Sequence, residues 1–228
     1  MNYAIVLAGG SGKRMGLEIP KQFLEICGRP VLYYSLFAFN ESPVIDEIIL
    51  VTRKQDEEVC RQIVKKYDLN KVKHITEGGR ERHESVYNGL KEITDGGYVY
   101  IHDGARPCIT PELIFDLSTS VEKYSAVYTA VPAKDTIRVV DEAGFTKETP
   151  RRKSLWQVQT PQVFAIDLLK RAYAEFRKDA NPPEVTDDAM LVDRYTGVTS
   201  HVHLGSYSNL KLTTGEDIPV IEKYLSGN

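Results

Sequence analysis

Apolar residues run unbroken from Tyr3 to Ala8 and stop at the glycines Gly9 and Gly10. Pro30 to Asn40 then carries a helical spacing of apolar positions, and Ile45 to Thr52 is a second run rich in isoleucine and valine. A run, a periodic segment and a run predict a β-α-β unit. The alternation continues with a helix over Glu57 to Tyr67, a strand over Lys71 to Thr76, a helix over Arg82 to Ile93 and a strand over Tyr98 to His102. Strands that alternate with helices imply a mostly parallel sheet covered on both faces. Ligands of such sheets bind beyond the carboxyl ends of the strands, so the segments Ala8 to Lys21 and Asp103 to Pro107 are the places to search for chemistry.

After Val131 the pattern changes. Asp135 to Val140 and Phe145 to Pro150 read as two polar strands around the turn Asp141-Glu142-Ala143-Gly144. An isolated hairpin is marginal in water, so this one is expected to pack on its own domain or on a second subunit. A helix over Ile166 to Lys178, a polar loop over Asp179 to Glu184, a helix from Thr186 to about Tyr195, a strand over Thr199 to Leu204 and a helix over Glu216 to Leu225 complete the chain. With no internal repeat, low-complexity stretch or linker, residues 1–228 are expected to form one domain.

Composition narrows the function classes. The chain of 228 residues is 42% hydrophobic and 27% charged, as ordinary globular proteins are, and its formal net charge of -3 gives no general attraction to nucleic acid or anionic membrane. Binding of phosphate must therefore be local. Cys27, Cys60 and Cys108 form no CxxC pair and leave an odd count, which argues against a disulfide framework or a zinc site. His201 and His203 share one side of a strand, but no third ligand stands nearby, so they read as surface residues. His74 and His102 read as structural. The apolar start lacks the basic region of a signal peptide and no apolar run reaches membrane-spanning length, so a soluble, cytoplasmic protein is expected.

The first loop reads Leu7-Ala8-Gly9-Gly10-Ser11-Gly12-Lys13-Arg14-Met15-Gly16. Glycines after a buried strand let backbone amides close around phosphate oxygens. The Walker pattern fails because Arg14 follows Lys13, and the dinucleotide fingerprint fails because Gly10, Gly12 and Gly16 are spaced one residue too wide. What remains is a glycine loop with Lys13 and Arg14 inside it and Lys21 close behind, a cation set suited to a polyphosphate.

Several blocks in fixed order extend this loop: Pro20-Lys21-Gln22-Phe23-Leu24, Gly79-x-Glu81-Arg82-x-x-Ser85-Val86, His102-Asp103-x-Ala105-Arg106-Pro107, Lys134-Asp135-Thr136-Ile137, Leu155-Trp156-x-x-Gln159-Thr160-Pro161-Gln162, Thr186-Asp187-Asp188-Ala189 and Asn209-x-Lys211-x-Thr213. From Tyr3 to Leu225 the chain thereby resembles the 2-C-methyl-D-erythritol 4-phosphate cytidylyltransferases. Ribitol-5-phosphate cytidylyltransferases are similar throughout and also begin Leu-Ala-Gly-Gly. The blocks around Asp103 and Trp156 look more like the erythritol-phosphate branch.

The resemblance implies a Rossmann-like three-layer α/β/α sandwich of the nucleotide-diphospho-sugar transferase type, with a mostly parallel mixed sheet and a protruding hairpin arm at about 135–152. It implies transfer of CMP from CTP to 2-C-methyl-D-erythritol 4-phosphate with release of pyrophosphate, in the synthesis of isoprenoid precursors. Arg14 and Lys21 would stabilise the transition state around the triphosphate, and Lys211 and Arg152 would hold the acceptor phosphate. Backbone at Ala8, Gly9, Gly10, Gly12 and Gly79, with the Ser85 side chain, would hold the nucleotide. Asp103, at the end of its predicted buried strand in the crevice, is placed to bond a ribose or acceptor hydroxyl or to approach the metal ion; Thr136, Thr160 and Thr186 match family positions near the acceptor, and Arg106 and Asp135 sit beside them. Magnesium would bind mainly through the CTP phosphates, with no protein ligand assigned. The family's acceptor pocket is shared between subunits, which implies a homodimer whose hairpin carries Thr136 and Arg152 into the neighbour's site. A non-catalytic nucleotide-binding module would lack one of Arg14, Lys21, Arg152 and Lys211, and all four are present.

Overall fold

The computed structural model describes residues 1–10 and 19–227. In chain order it contains β1 (Asn2–Leu7), a short antiparallel pair β2 (Glu25–Ile26) and β3 (Arg29–Pro30), α1 (Val31–Glu41), β4 (Glu47–Thr52), α2 (Glu57–Lys66), β5 (Val72–Glu77), α3 (Arg82–Lys91) and β6 (Tyr98–Asp103). There follow α4 (Pro111–Tyr124), β7 (Ala126–Pro132), the hairpin β8 (Val139–Val140) and β9 (Thr146–Glu148), β10 (Trp156–Ala165), α5 (Ile166–Phe176), α6 (Asp188–Tyr195), β11 (His201–Leu204) and α7 (Asp217–Leu225).

Among the described residues one seven-stranded sheet runs in the order β11-β7-β10-β6-β1-β4-β5. All neighbours are parallel except β10, which lies antiparallel between β6 and β7. The strands point alternate side chains to opposite faces, and each face has its own helices. Tyr3, Ile5, Ile49, Val51, Val99 and Ile101 pack under α3, α5 and α6, whereas Ala4, Val6, Ile48, Leu50 and Tyr100 pack under α1, α2 and α4. This is the three-layer sandwich with a mostly parallel mixed sheet. A third, smaller apolar cluster of Ile26, Val31, Cys108, Leu212 and Ile221 seats α7 against the β2–β3 pair.

Five elements lie outside the segments that periodicity assigns: the two-residue strands β2 and β3, and α4, β7 and β10. The start of α4 is marked in the sequence, since Thr110 caps it by accepting from the Leu113 amide and Pro111 follows. β10 is polar yet half-buried, because Gln159 and Gln162 spend their amides on Ser206 and Asp187. The hairpin strands are shorter than expected, and helix α6 starts at Asp188 rather than Thr186 because Asp187 takes the cap from Met190.

Register decides where the site forms. Leu7 at the end of β1 lies opposite Asp103 on one side and Val51 on the other, and Val51 lies opposite Thr76. Four strands therefore end level, and their loops open on one edge. The helix α3 that rises from this edge sits close on the sheet: a Cβ on Gly89 would stand 2.9 Å from Ile5 Cγ2 and 3.2 Å from Val51 Cγ2. Alanine favours a helix by about 1 kcal/mol over glycine, but overpacking a core costs about 1–3 kcal/mol. Gly89→Ala is therefore expected to lower the urea midpoint rather than raise it.

Candidate active site

The level strand ends form a cleft of about 470 Å³ lined by Ala8, Gly9, Gly10, Lys21, Gly79, Arg82, Ser85, Asp103 and Lys211, among others. Its lining holds the cations Lys21, Arg53, Arg80, Arg82 and Lys211 against the carboxylates Glu81 and Asp103. In a chain of net charge -3, that local excess of positive charge suits a polyanion. A smaller cavity of about 260 Å³ adjoins it, lined by Arg106, Thr160, Gln162, Thr186 and Asp187 and sharing Arg82, Asp103 and Lys211 with the first.

Asp103 is the hub of this wall. Lys211 Nζ donates to its Oδ2 at 2.7 Å, Arg82 Nε lies 3.5 Å from Oδ1, and Arg106 Nε lies 3.9 Å from Oδ2. Burial alone raises a carboxyl, but the cations Arg82, Lys211 and Arg106 outweigh it and hold Asp103 well below the usual carboxylate range. The Asp103 amide donates to Thr160 Oγ1 at 3.0 Å. Thr160 Oγ1 stands 3.1 Å from His102 Nδ1, and His102 Nε2 stands 3.3 Å from the Arg106 carbonyl. Both contacts are satisfied by a neutral imidazole protonated on Nε2, with the Thr160 hydroxyl donating to Nδ1. Burial pushes the His102 ring down to about 3, even though Asp103 beside it acts to raise it.

Backbone lacing fixes the rest. Gln22 donates to the Ala8 carbonyl at 2.7 Å, and Lys21 Nζ to the Leu212 carbonyl at 2.7 Å. The Leu212 amide donates to Ala105, Asn209 donates to Thr160, and Arg106 donates to the Asn209 carbonyl. Ser85 Oγ accepts from the Gly79 amide at 3.0 Å and donates to Glu81 at 3.2 Å, so it ties the turn that faces Gly9 and Gly10.

A family model described as 2-C-methyl-D-erythritol 4-phosphate cytidylyltransferase matches residues 2–227. The chain belongs to this family. It is 49% identical to the 2-C-methyl-D-erythritol 4-phosphate cytidylyltransferase of Lachnospira eligens, over 100% of both chains. It is 45% identical to that of Clostridium novyi, over 98% of this chain and 96% of the relative. The crystal structure of 4-diphosphocytidyl-2C-methyl-D-erythritol synthase from Anaerococcus prevotii superposes with a TM-score of 0.86 at 35% identity, covering 99% of this chain and 96% of that one.

For a cytidylyltransferase of this family, the expected site residues fall into four groups. Ala8, Gly9, Gly10, Lys21, Gly79, Ser85, Asp103 and Lys211 line the larger cleft, and Arg106, Thr160 and Thr186 line the smaller cavity. Asp135, Thr136 and Arg152 sit at the root of the hairpin, exposed, and line neither; Arg152 donates to the Lys134 carbonyl at 3.2 Å. Gly12 and Arg14 lie outside the described residues. Thr160 and Ser85, besides lining these cavities, are engaged within the protein, where they accept from the Asp103 and Gly79 amides. Periodicity alone does not find Gln22, Arg82, Gln162, Asp188 or Asn209; the family blocks contain all five. Arg53 lies in no block, and its place after β4 is the sole hint.

The unfolded chain takes up a proton at His102 near pH 6.5, whereas the folded chain does so only near pH 3. Between those values the unfolded state binds more protons, so stability falls as pH falls, by about 1.4 kcal/mol per pH unit from this group. Urea unfolding at pH 7, 6 and 5 is expected to show that slope in the parent and a flatter profile in His102→Gln, which has no ring to titrate.

Proposed function

We propose that this chain joins CMP from CTP to 2-C-methyl-D-erythritol 4-phosphate, giving 4-diphosphocytidyl-2-C-methyl-D-erythritol and pyrophosphate. The observation that carries the reading is the cation-rich cleft at the level strand ends, in a chain of this family. An acceptor phosphate oxygen attacks the α-phosphorus of CTP, a new P–O bond forms, and the bond to the pyrophosphate oxygen breaks. Charge builds on the non-bridging and leaving oxygens, so the protein's part is positioning and electrostatic stabilisation without a covalent intermediate.

In this proposal Lys21, with Arg14, neutralises the triphosphate. Lys211, with a partner's Arg152, holds the acceptor phosphate over the smaller cavity, beside Arg106 and Thr186. Asp103 accepts from a ribose or acceptor hydroxyl. Backbone at Ala8, Gly9, Gly10 and Gly79 faces the nucleotide, and Ser85 shapes the turn against the base. A divalent ion, magnesium in this proposal, fits as cargo of the nucleotide. Among the described residues no three His, Cys, Asp or Glu side chains gather to cage one, and the cleft's charge calls for anions that bring their counter-ion with them. When bound it draws charge from the phosphate oxygens.

Residues 1–228 act as one domain in this proposal, with the hairpin reaching to a second copy. Its support is the exposed apolar surface of the arm and the start of β10 beside it: Phe145 is 72% and Val140 54% exposed, with Ile137 and Val139 on the arm and Trp156 and Val158 on β10 also uncovered. No helix among the described residues is long and apolar enough to cross a membrane, and the cytoplasm, where CTP is available, is the proposed place of action.

Pyrophosphate release with CTP and magnesium is expected with 2-C-methyl-D-erythritol 4-phosphate and not with ribitol 5-phosphate; release with ribitol 5-phosphate alone would overturn the acceptor. Lys21→Ala is expected to lower kcat by about a hundredfold. Mixing impaired Arg152→Ala chains with impaired Lys21→Ala chains should restore part of the activity, since mixed dimers hold one intact composite site. A mixture no more active than its components would sink the shared site.

A further inference from the structure

Arg82 is the wall residue whose side chain leaves the site and takes hold of the scaffold behind it. It opens helix α3, after the reciprocal capping of Glu81 and Glu84, and lines both cavities. Its Nη1 donates at 2.6 Å to Oδ2 of Asp188, which is fully buried at the start of α6. The other carboxylate oxygen of Asp188 accepts from Tyr173 Oη on α5 at 2.6 Å. The Asp188 and Ala189 amides donate to Gln162 Oε1 on β10 at 3.0 and 3.1 Å. Among the described residues, the buried Arg82 Nη2 has no hydrogen-bond partner. Despite burial, Asp188 and Asp103 together raise the Arg82 guanidinium above its ordinary range.

Lys211 stands in a different position. Its side chain is 39% exposed, against 11% for Asp103, and it belongs to the cations that an incoming phosphate would draw on. A lysine ammonium is a mobile point charge, whereas a guanidinium serves two carboxylates in one plane. When phosphate oxygens compete for Lys211, Asp103 keeps Arg82 and Arg106 as its remaining cationic neighbours, with His102 neutral behind it. Of the two, Arg82 is the one tied to a buried carboxylate.

We infer that Arg82 is a positioning residue for the transfer: anchored on Asp188, it keeps the Asp103 carboxylate fixed and charged at the wall between the two substrates while Lys211 moves to phosphate. The inference rests on the reaction proposed above and adds to it a role for the Arg82–Asp188–Tyr173 chain. It assigns the geometry of the site to a contact made behind it, between α3 and α6.

The test compares the parent, Arg82→Lys, Arg82→Met and the double variant Arg82→Met/Asp188→Asn. Arg82→Met alone leaves Asp188 buried and unpaired and is expected to unfold more easily. The double variant removes both charges of the pair, so its melting temperature is expected to recover towards the parent's, and calorimetry with CTP should give one site per chain at an affinity within about threefold of the parent's. Its kcat is nonetheless expected to stay roughly a hundredfold down, as for a misplaced reacting group. Arg82→Lys, which keeps a charge, should recover part of that loss. A double variant with the parent's kcat would show that Arg82 matters only to the fold and would overturn the inference, as would a CTP affinity that falls in step with kcat. A parent without turnover would overturn the reaction itself and the inference with it, whereas an active parent beside an equally active double variant overturns the inference alone.

Discussion

The charge of Asp103 is the constraint around which the wall of the site is arranged. A carboxylate at the end of a buried central strand is costly to desolvate, and it stays ionised only because Arg82, Lys211 and Arg106 come to it from three separate segments. Each cation is in turn held elsewhere or lies in a laced segment: Arg82 by Asp188, Arg106 by the Asn209 carbonyl, Lys211 by the ribbon that bonds Ala105 and Thr160. The sheet supplies the platform. The level ends of β1, β4 and β6 put Leu7, Val51 and Asp103 side by side, and the ion pairs then join loops far apart in sequence.

Much of the platform was legible in the sequence because buried parallel strands are nearly pure apolar runs. Tyr3 to Ala8, Ile45 to Thr52 and Tyr98 to His102 are of this kind, and the structure places strands at all three. Strand β10 was not legible by the same rule. Gln159 and Gln162 are buried, but their side-chain amides bond to Ser206 and Asp187, and a polar residue that donates to a distant partner looks like a surface residue in one dimension. Helix α4 carries a readable start at Thr110-Pro111, yet its exposed Phe115 and buried Ser118 blur the apolar stripe.

The site was legible as residue types in blocks, less so as roles. Lys21, Asp103 and Lys211 meet in one cleft, as the blocks imply. Thr160 and Ser85 look the same in sequence whether they face a ligand or brace a neighbour, and only the hydrogen bonds to the Asp103 and Gly79 amides distinguish the two. Asp135, Thr136 and Arg152 stand away from both cavities of their own chain, which a linear reading has no means to register.

The ribbon Asn209–Leu212 has a consequence for the order in which the molecule is made. It bonds Thr160, Ala105 and Lys21, so Lys21 near the start of the chain is tied to Leu212, 191 residues later. A chain emerging from the ribosome can pair β1, β4 and β6 early, but the wall of its cleft stays incomplete until this last stretch has cleared the exit tunnel. A fragment ending before Asn209 would keep the sequence of all seven strands but lose Lys211 together with Leu212 and Ile221 of the third apolar cluster, so trimming near the C-terminus strikes the wall of the site before its platform.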